Sequence, residues 1–120
     1  MTILDLPQVP LTLSHYQSAQ TEVLSVIGYV DTFTVPTLQP ALMGTVERLD
    51  HPKAGILTVD ISGVRLIDHD GLQMLLRIRE KITGQGRTLV IRLRPGSQPE
   101  TVFRASKLAS VLNAAYEPAA

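Results

Sequence analysis

The densest cluster of polar side chains in the sequence is Asp68-His69-Asp70-Gly71, which follows an apolar run and precedes a helical pattern. At a strand-to-helix junction, free backbone N–H groups and the positive end of the helix dipole favour anionic groups, whether carboxylate or phosphate. A purely structural interpretation is that Asp68 or Asp70 caps the helix, which is worth about 1 kcal/mol. The alternative is that these carboxylates belong to a binding site. The tetrapeptide alone favours the structural interpretation.

Other kinds of chemistry find little support in the sequence. The chain has no cysteine, which excludes disulfides, thiolate metal sites and a cysteine nucleophile. His69 lies between two carboxylates, but adjacent residues of a turn point in different directions, so we expect no metal site. The sequence has neither a phosphate-binding glycine-rich loop nor a nucleophile-elbow motif. We therefore expect no cofactor and no enzymatic activity.

The composition is that of one small folded domain. The chain has 120 residues, of which 44% are hydrophobic, and its 11 basic residues balance 11 acidic ones. A net charge of zero argues against binding to nucleic acid or to an anionic membrane surface, because both depend on a basic excess. No apolar run approaches the ~20 residues that cross a bilayer, and no secretory signal pattern is visible. We expect a cytoplasmic protein that does not insert into a membrane.

Two strands are predicted near the beginning of the chain. Apolar and polar residues alternate from Leu11, and residues 23–30 are rich in β-branched side chains. Residues 1–9 contain a proline and another follows directly, and proline discourages strand pairing. We therefore expect residues 1–9 to form an N-terminal tail and residues 10–120 to form a single domain.

The hydrophobic period then changes to that of a helix. Leu38, Leu42 and Val46 recur at helical spacing, and the pattern extends to Leu49. Thr34 is placed to cap the N-terminus of this helix. Because Pro40 cannot donate a backbone hydrogen bond, we expect a late helix start or a bend there.

The second half of the chain alternates strands and helices. Residues 56–61 are almost continuously apolar, which predicts a central strand that ends before Ser62. An amphipathic helix follows the Asp68–Gly71 turn. Its inward stripe is Leu72, Leu75, Leu76, Ile78 and Ile82, and its outward residues are Gln73, Met74, Arg77 and Lys81.

A strand over residues 89–93, a short helix over residues 100–107 and a helical or extended segment over residues 108–116 complete the pattern. The order strand, strand, helix, strand, helix, strand, helix predicts an α/β fold. Its mixed sheet should have about four to five strands with helices packed on it.

Four motifs occur in order and at characteristic spacing. They are Gly-Tyr-Val-Asp-Thr-Phe-Thr from Gly28, Leu-Thr-Val-Asp-Ile-Ser-Gly-Val from Leu57, Ile-Asp-His-Asp-Gly-Leu from Ile67, and Gly-Gln-Gly-Arg from Gly84. Together they resemble the STAS domain family, which includes the anti-sigma factor antagonists, over about residues 10–116. The resemblance implies a STAS fold. It also implies a non-catalytic bacterial signalling module that regulates transcription by binding an anti-sigma factor or a related serine-kinase-type regulatory protein.

The resemblance also implies roles for single residues. In the antagonists, the second hydroxyl residue of the turn is phosphorylated by the partner kinase, and phosphorylation releases the antagonist. The matching position is Asp70, the first hydroxyl position is His69, and Asp31 matches an acidic residue beside the phosphorylation site. Neither position of the turn carries a hydroxyl here, so Ser/Thr phosphorylation cannot occur there. Asp70 could mimic the phosphorylated state or make binding permanent.

The expected partner-binding surface comprises the loop of residues 31–34, the turn and the exposed face of the helix that follows it. Its residues are Asp31, Thr32, Phe33, Thr34, Asp68, His69, Asp70, Gly71, Gln73, Met74 and Arg77. Met74 and Phe33 are expected to be exposed apolar anchors. Two other functions stay open: an accessory subunit of a lipid-transport ABC ATPase, or a sensor that binds a nucleotide or another small ligand. A homodimer also stays open.

Overall fold

The computed structural model describes residues 2–6, 11–18, 21–48, 55–107, 111–112 and 114–116. Its elements are β1 (Thr2–Leu6), β2 (Leu11–Ser18), β3 (Thr21–Val30), α1 (Val35–Arg48), β4 (Ile56–Ile67), α2 (His69–Gly84), β5 (Thr88–Leu93), α3 (Gln98–Ser106) and β6 (Ala114–Tyr116). The six strands form one sheet in the order β1-β2-β3-β4-β5-β6. The β1–β2 and β2–β3 pairs are antiparallel and the others are parallel. The predicted α/β fold with a mixed sheet is confirmed.

The expected N-terminal tail is wrong for residues 2–6. Thr2–Leu6 is a strand that pairs antiparallel with β2, with Ile3 opposite Ser14. None of residues 2–6 is a proline, so each of them has a backbone N–H to donate. Together with β6, this strand raises the count above the expected four to five. The division into a tail and a single domain from residue 10 is otherwise untested and stays a prediction.

Strand β4 is longer than predicted. It continues through Ser62 and Gly63 to Ile67. The register between β3 and β4 shifts twice, so β4 has an additional residue at each bulge. A Cβ atom on Gly63 would lie 2.9 Å from Cγ1 of Ile27, and Gly28 in the paired strand has a φ of 124°. Glycine therefore permits the irregular pairing through which β4 extends to Ile67. Residues 68–71, which follow directly, are called the signature turn below.

Helix α1 begins at Val35, directly after Thr34, so of the predicted late start or bend at Pro40 the late start is wrong, and the bend stays a prediction. Pro40 lies inside the helix. The helix is described up to Arg48, and the predicted contribution of Leu49 lies outside the described residues. The same holds for residues 7–10, the connection at residues 19–20, and residues 108–110 and 113 of the predicted C-terminal segment.

The core lies on the helix-covered face of the sheet. Leu24, Val59 and Ile91 are neighbours across β3, β4 and β5 and are fully buried. Helices α1 and α2 contact each other, as expected when successive right-handed crossovers place their helices on one face. Because β3 and β4 are parallel, their carboxyl ends lie side by side, and the loops to α1 and α2 begin there. None of the helices in the described ranges is long and apolar enough to span a membrane.

Candidate functional site

The carboxyl ends of β3 and β4 bring the two predicted site segments together. Val30 is the register partner of Ile67, and the backbone N–H of Asp68 donates to the carbonyl of Val30 over 3.1 Å. The loop of residues 31–34, called the β3–α1 loop below, therefore lies beside the signature turn. This adjacency follows from the parallel pairing of β3 and β4.

Gly71 is required where the start of α2 approaches both strands. A Cβ atom at this position would lie 2.6 Å from Cγ1 of Ile67, 2.9 Å from Cγ1 of Val30 and 2.9 Å from the Val30 carbonyl oxygen. Real Cβ atoms essentially never come this close to other atoms. The role of Gly71 is therefore close packing of the helix start against the strand ends, and it is buried rather than available to a partner.

The carboxylate of Asp68 connects the turn to the β3–α1 loop. Its Oδ1 accepts from the N–H of Gly71 over 3.0 Å, which caps α2. Its Oδ2 accepts from the backbone N–H of Thr32 over 2.9 Å and from the Thr32 hydroxyl over 3.1 Å. Partial burial pushes the pKa of Asp68 upward, but the hydrogen bonds from Gly71 and Thr32 outweigh it, and the net pKa is lowered. Both oxygens are thus occupied in holding the site together.

Asp31 and Thr34 close the start of α1 reciprocally. Oδ1 of Asp31 accepts from the N–H groups of Phe33 and Thr34 over 2.9 and 3.0 Å. In return, Oγ1 of Thr34 accepts from the N–H of Asp31 over 2.9 Å and donates to the Tyr29 carbonyl over 2.8 Å. This is the hydrogen-bond pattern of a capping box, with threonine in the place of the usual Glu or Gln. The predicted cap at Thr34 is therefore a cap that Asp31 and Thr34 share.

Asp70 differs from these two aspartates because its carboxylate is left free. It is partly exposed in the first turn of α2. Within the described part of the chain, its side chain has no hydrogen-bonded or ion-paired partner. It lines a pocket of about 210 Å³ between the two helix starts, together with Thr32, Val35, Pro36, Gln73 and Arg77. The pocket therefore contains one unpaired negative charge at a helix N-terminus.

Polar contacts fix the outer faces of α1 and α2 against each other. Nη1 of Arg77 donates to Oε1 of Gln39 over 3.1 Å. On α2 itself, Nε2 of Gln73 donates to Nε2 of His69 over 3.0 Å. These contacts keep the rim of the pocket polar and place His69 on the exposed side of the turn.

The two apolar residues expected to be exposed have opposite environments. Phe33 is 86% exposed, whereas Met74 is only 1% exposed and belongs to the core. The predicted exposure of Met74 is wrong, because α2 packs against both the sheet and α1 and its buried stripe is correspondingly wide. Met74 continues that stripe between Gly71 and Ile78, at helical spacings of three and four residues. It cannot serve as a direct partner anchor in this structure.

The eleven predicted site residues thus fall into two groups. Thr34, Gly71 and Met74 are buried and support the site from within. The other eight reach the surface: Asp31, Thr32, Phe33, Asp68, His69, Asp70, Gln73 and Arg77. Sequence analysis missed the contribution of α1, whose residues Pro36 and Gln39 also border this surface. No group of three or more His, Cys, Asp or Glu side chains that could hold a metal ion occurs among the described residues.

Comparisons with known proteins identify the family and the fold. Residues 13–113 match the STAS_2 family, whose description is "Mlab, STAS domain". No curated protein matches the chain in sequence. An anti-sigma factor antagonist from Mycobacterium paratuberculosis is similar in structure, with a TM-score of 0.73 and 22% identity over 96% of this chain and 92% of that chain.

Two further solved structures have the same fold. A sulfate transporter family protein from Wolinella succinogenes has a TM-score of 0.62 at 14% identity, over 79% of this chain and 73% of that chain. The anti-sigma factor antagonist SpoIIAA in its unphosphorylated form has a TM-score of 0.58 at 11% identity, over 90% and 89%. At these identities the structures establish the fold alone, while the family match covers most of the sequence. The chain belongs to the STAS domain family.

Proposed function

We propose that this chain is a non-catalytic regulatory module that binds an anti-sigma factor or a related kinase-type protein. The binding surface comprises the β3–α1 loop, the signature turn and the exposed side chains of Gln73 and Arg77. We further propose that Asp70 makes this binding permanent, because the turn has no hydroxyl group that a kinase could phosphorylate.

One observation carries the proposal: the signature turn has a free carboxylate at Asp70, and the adjacent β3–α1 loop has a strongly exposed aromatic side chain at Phe33. Asp68 and Asp31 use their carboxylates within the fold, but Asp70 does not. Phe33 is 86% exposed on the adjacent loop, and exposed aromatic residues are enriched at protein interfaces. A free charge and an apolar anchor on one rigid surface are suited to recognition of a protein.

The size of the charge supports permanent binding rather than a mimic of phosphorylation. A phosphoserine would bring about −1.5 to −2 charges and three acceptor oxygens, whereas Asp70 brings a single charge on a shorter side chain. The N-terminal end of α2 offsets part of that charge. A partner that accepts the unphosphorylated state therefore meets only a modest change in electrostatic potential.

The test uses Asp70→Ser and wild type against each anti-sigma factor kinase of the source cell, purified separately. We expect wild type to bind one of them with or without ATP, and the variant to bind only until ATP is added. Phosphorylation of the introduced serine should be followed by mass spectrometry. Glu80→Ser is the matched control, because it removes the same charge from an exposed position of α2 roughly 15 Å further along the helix.

Two results would contradict the proposal in different ways. If unphosphorylated Asp70→Ser binds about tenfold more tightly than wild type, Asp70 is a built-in phosphate mimic and binding is not permanent. If neither protein binds any of the kinases, the anti-sigma factor partner is wrong.

A second candidate is favoured by the description of the matching family, "Mlab, STAS domain". Some stand-alone STAS domains are accessory subunits of lipid-transport ABC ATPases, and the same surface could serve such a partner. Co-purification of the tagged chain with an ABC-type ATPase, lost in Phe33→Ser, would select this function. For a small-ligand sensor, the site offers a pocket of about 210 Å³, which is below the usual range of roughly 300–1,000 Å³ for ligand sites.

A further inference from the structure

Helix α1 has an uncharged outer face. From Val35 to Val46 the helix contains no Asp, Glu, Lys or Arg, and its two charged residues are the last two. Pro36 and Pro40 are exposed, and Gln39 and Met43 are partly exposed beside them. With Val35, these four residues line a groove of about 310 Å³. The surface of a helix in a free domain normally carries charges, and depletion of charge marks the centre of protein interfaces.

Pro40 is a second, independent irregularity on the same face. A proline inside a helix removes one hydrogen bond and clashes with the preceding turn, at a cost of roughly 3 kcal/mol. Because Pro40 is exposed, the core does not demand it. It also lacks the N–H that residue 40 would otherwise donate to the carbonyl of Pro36. Such a departure from local helix preference without a packing gain points to a functional site.

The groove is continuous with the site already described. It shares Val35 and Pro36 with the pocket that contains Asp70. Phe33, which is 86% exposed, lies two residues before the first residue of the helix. Phe33, Pro36, Gln39, Pro40 and Met43 are called the α1 face below.

We propose that the α1 face is part of the partner-binding surface and is covered by an uncharged, apolar segment of the partner protein. The segment carries one basic side chain at its edge, which pairs with Asp70. This inference rests on the proposed function and specifies the chemistry of the partner.

Charge decides the character of the bound segment. A charged side chain buried on the α1 face would lose its hydration, which is costly, because the residues of that face carry no charge and Arg77 reaches only its edge at Gln39. At the border with the pocket the situation is reversed, because the carboxylate of Asp70 is free. Arg77, the cation lining that pocket, already donates to Gln39. An apolar segment with a basic residue at one end matches both conditions.

The test compares Pro40→Glu with Pro40→Ala. Both variants restore a backbone N–H to α1, so both should melt at or above the temperature of wild type. Only the glutamate places a charge on the α1 face. We expect Pro40→Ala to bind the partner as wild type does and Pro40→Glu to bind at least about tenfold more weakly, as measured by calorimetry. Asp70→Lys should also weaken binding, since it would repel the basic side chain.

The probes are the anti-sigma factor kinases and ABC-type ATPases of the source cell, each purified separately. If Pro40→Glu binds as Pro40→Ala does while Asp70→Lys does not bind, the α1 face is outside the interface and the proposed function stands. If wild type binds none of the probes, both proposals fail. The chain without a partner could also be a dimer that dissociates in the Pro40→Glu variant but not in Pro40→Ala. In that case a second copy covers the α1 face, and the inference is wrong.

Discussion

Replacing Asp68 with alanine should measurably destabilise the domain. The substitution removes the N-cap of α2, which contributes about 1 kcal/mol. It also removes two hydrogen bonds from Thr32, at 2.9 and 3.1 Å, which water can partly replace because they lie at the surface. At about 0.5 kcal/mol each, the total loss is about 2 kcal/mol. For a domain of this size the melting temperature should fall by roughly 10 °C.

The cap and the connection to the loop can be separated with Asp68→Asn. Asparagine is as good an N-cap as aspartate, so the bond to Gly71 should survive. The side chain of asparagine, however, has only one oxygen. Because that oxygen accepts from Gly71, the two bonds from Thr32 cannot both persist. We expect Asp68→Asn to lose about 1 kcal/mol, half the loss of alanine, in urea denaturation.

The pH dependence gives an independent check on Asp68. Because its pKa is lowered in the folded protein, its stabilising contribution is fully present above the pKa of an unfolded aspartate, about 3.9. The contribution is lost as the pH falls through the lower folded value. The stability difference between wild type and Asp68→Asn should thus be constant from about pH 5 to 8 and shrink below about pH 4. A difference that grows on acidification, or an alanine variant within 0.5 kcal/mol of wild type, would refute this account of Asp68.

Two further substitutions test packing around the site. Gly71→Ala should destabilise the domain by about 1–3 kcal/mol in urea denaturation, because the added Cβ would collide with Ile67 and Val30. Gly84→Ala is the control. A Cβ at Gly84 would meet no atom within 4 Å, so this variant should be neutral or slightly stabilising in the same experiment. Equal effects at the two glycines would contradict the close approach at the turn. Met74→Ala should cost about 2–5 kcal/mol as a core truncation; a loss below 0.5 kcal/mol in thermal unfolding would mean that Met74 is exposed after all.

Several elements of the fold could be predicted because their hydrophobic pattern has one clear period. The apolar stripe from Leu72 to Ile82 predicted helix α2, and the apolar run of residues 56–61 predicted strand β4. Both elements are present in the structure. Boundaries failed where tertiary pairing overrides local preference. Ser62-Gly63 suggested an end to β4, but pairing with β3 keeps residues 63–67 in the sheet beyond a bulge. The strand Thr2–Leu6 was missed because the prolines after it dominated the local pattern.

The sequence predicted a candidate site whose two segments lie side by side in the structure, but it did not indicate which of the residues are buried and which are exposed. Motif order identified the β3–α1 loop and the signature turn, and parallel pairing placed them together. Whether a residue of a helix is exposed depends on how many other elements pack against that helix. Met74 is buried because α2 contacts both α1 and the sheet. The uncharged outer side of α1 was visible as a run without Asp, Glu, Lys or Arg, but only the structure indicates which of its residues are exposed.

The three aspartates of the candidate site use their carboxylates differently. Asp31 and Asp68 are each held by N–H groups of the backbone, so they stabilise the helix starts and are not free for a partner. The dipole of α2 stabilises the negative charge of Asp70, although its carboxylate accepts no hydrogen bond from the described residues. The fold therefore tolerates an aspartate at this position at little cost. Stability therefore does not explain why an acid rather than a hydroxyl is present there. The charge of Asp70 remains free within the described structure, and the proposed function assigns its consequence to what the surface binds.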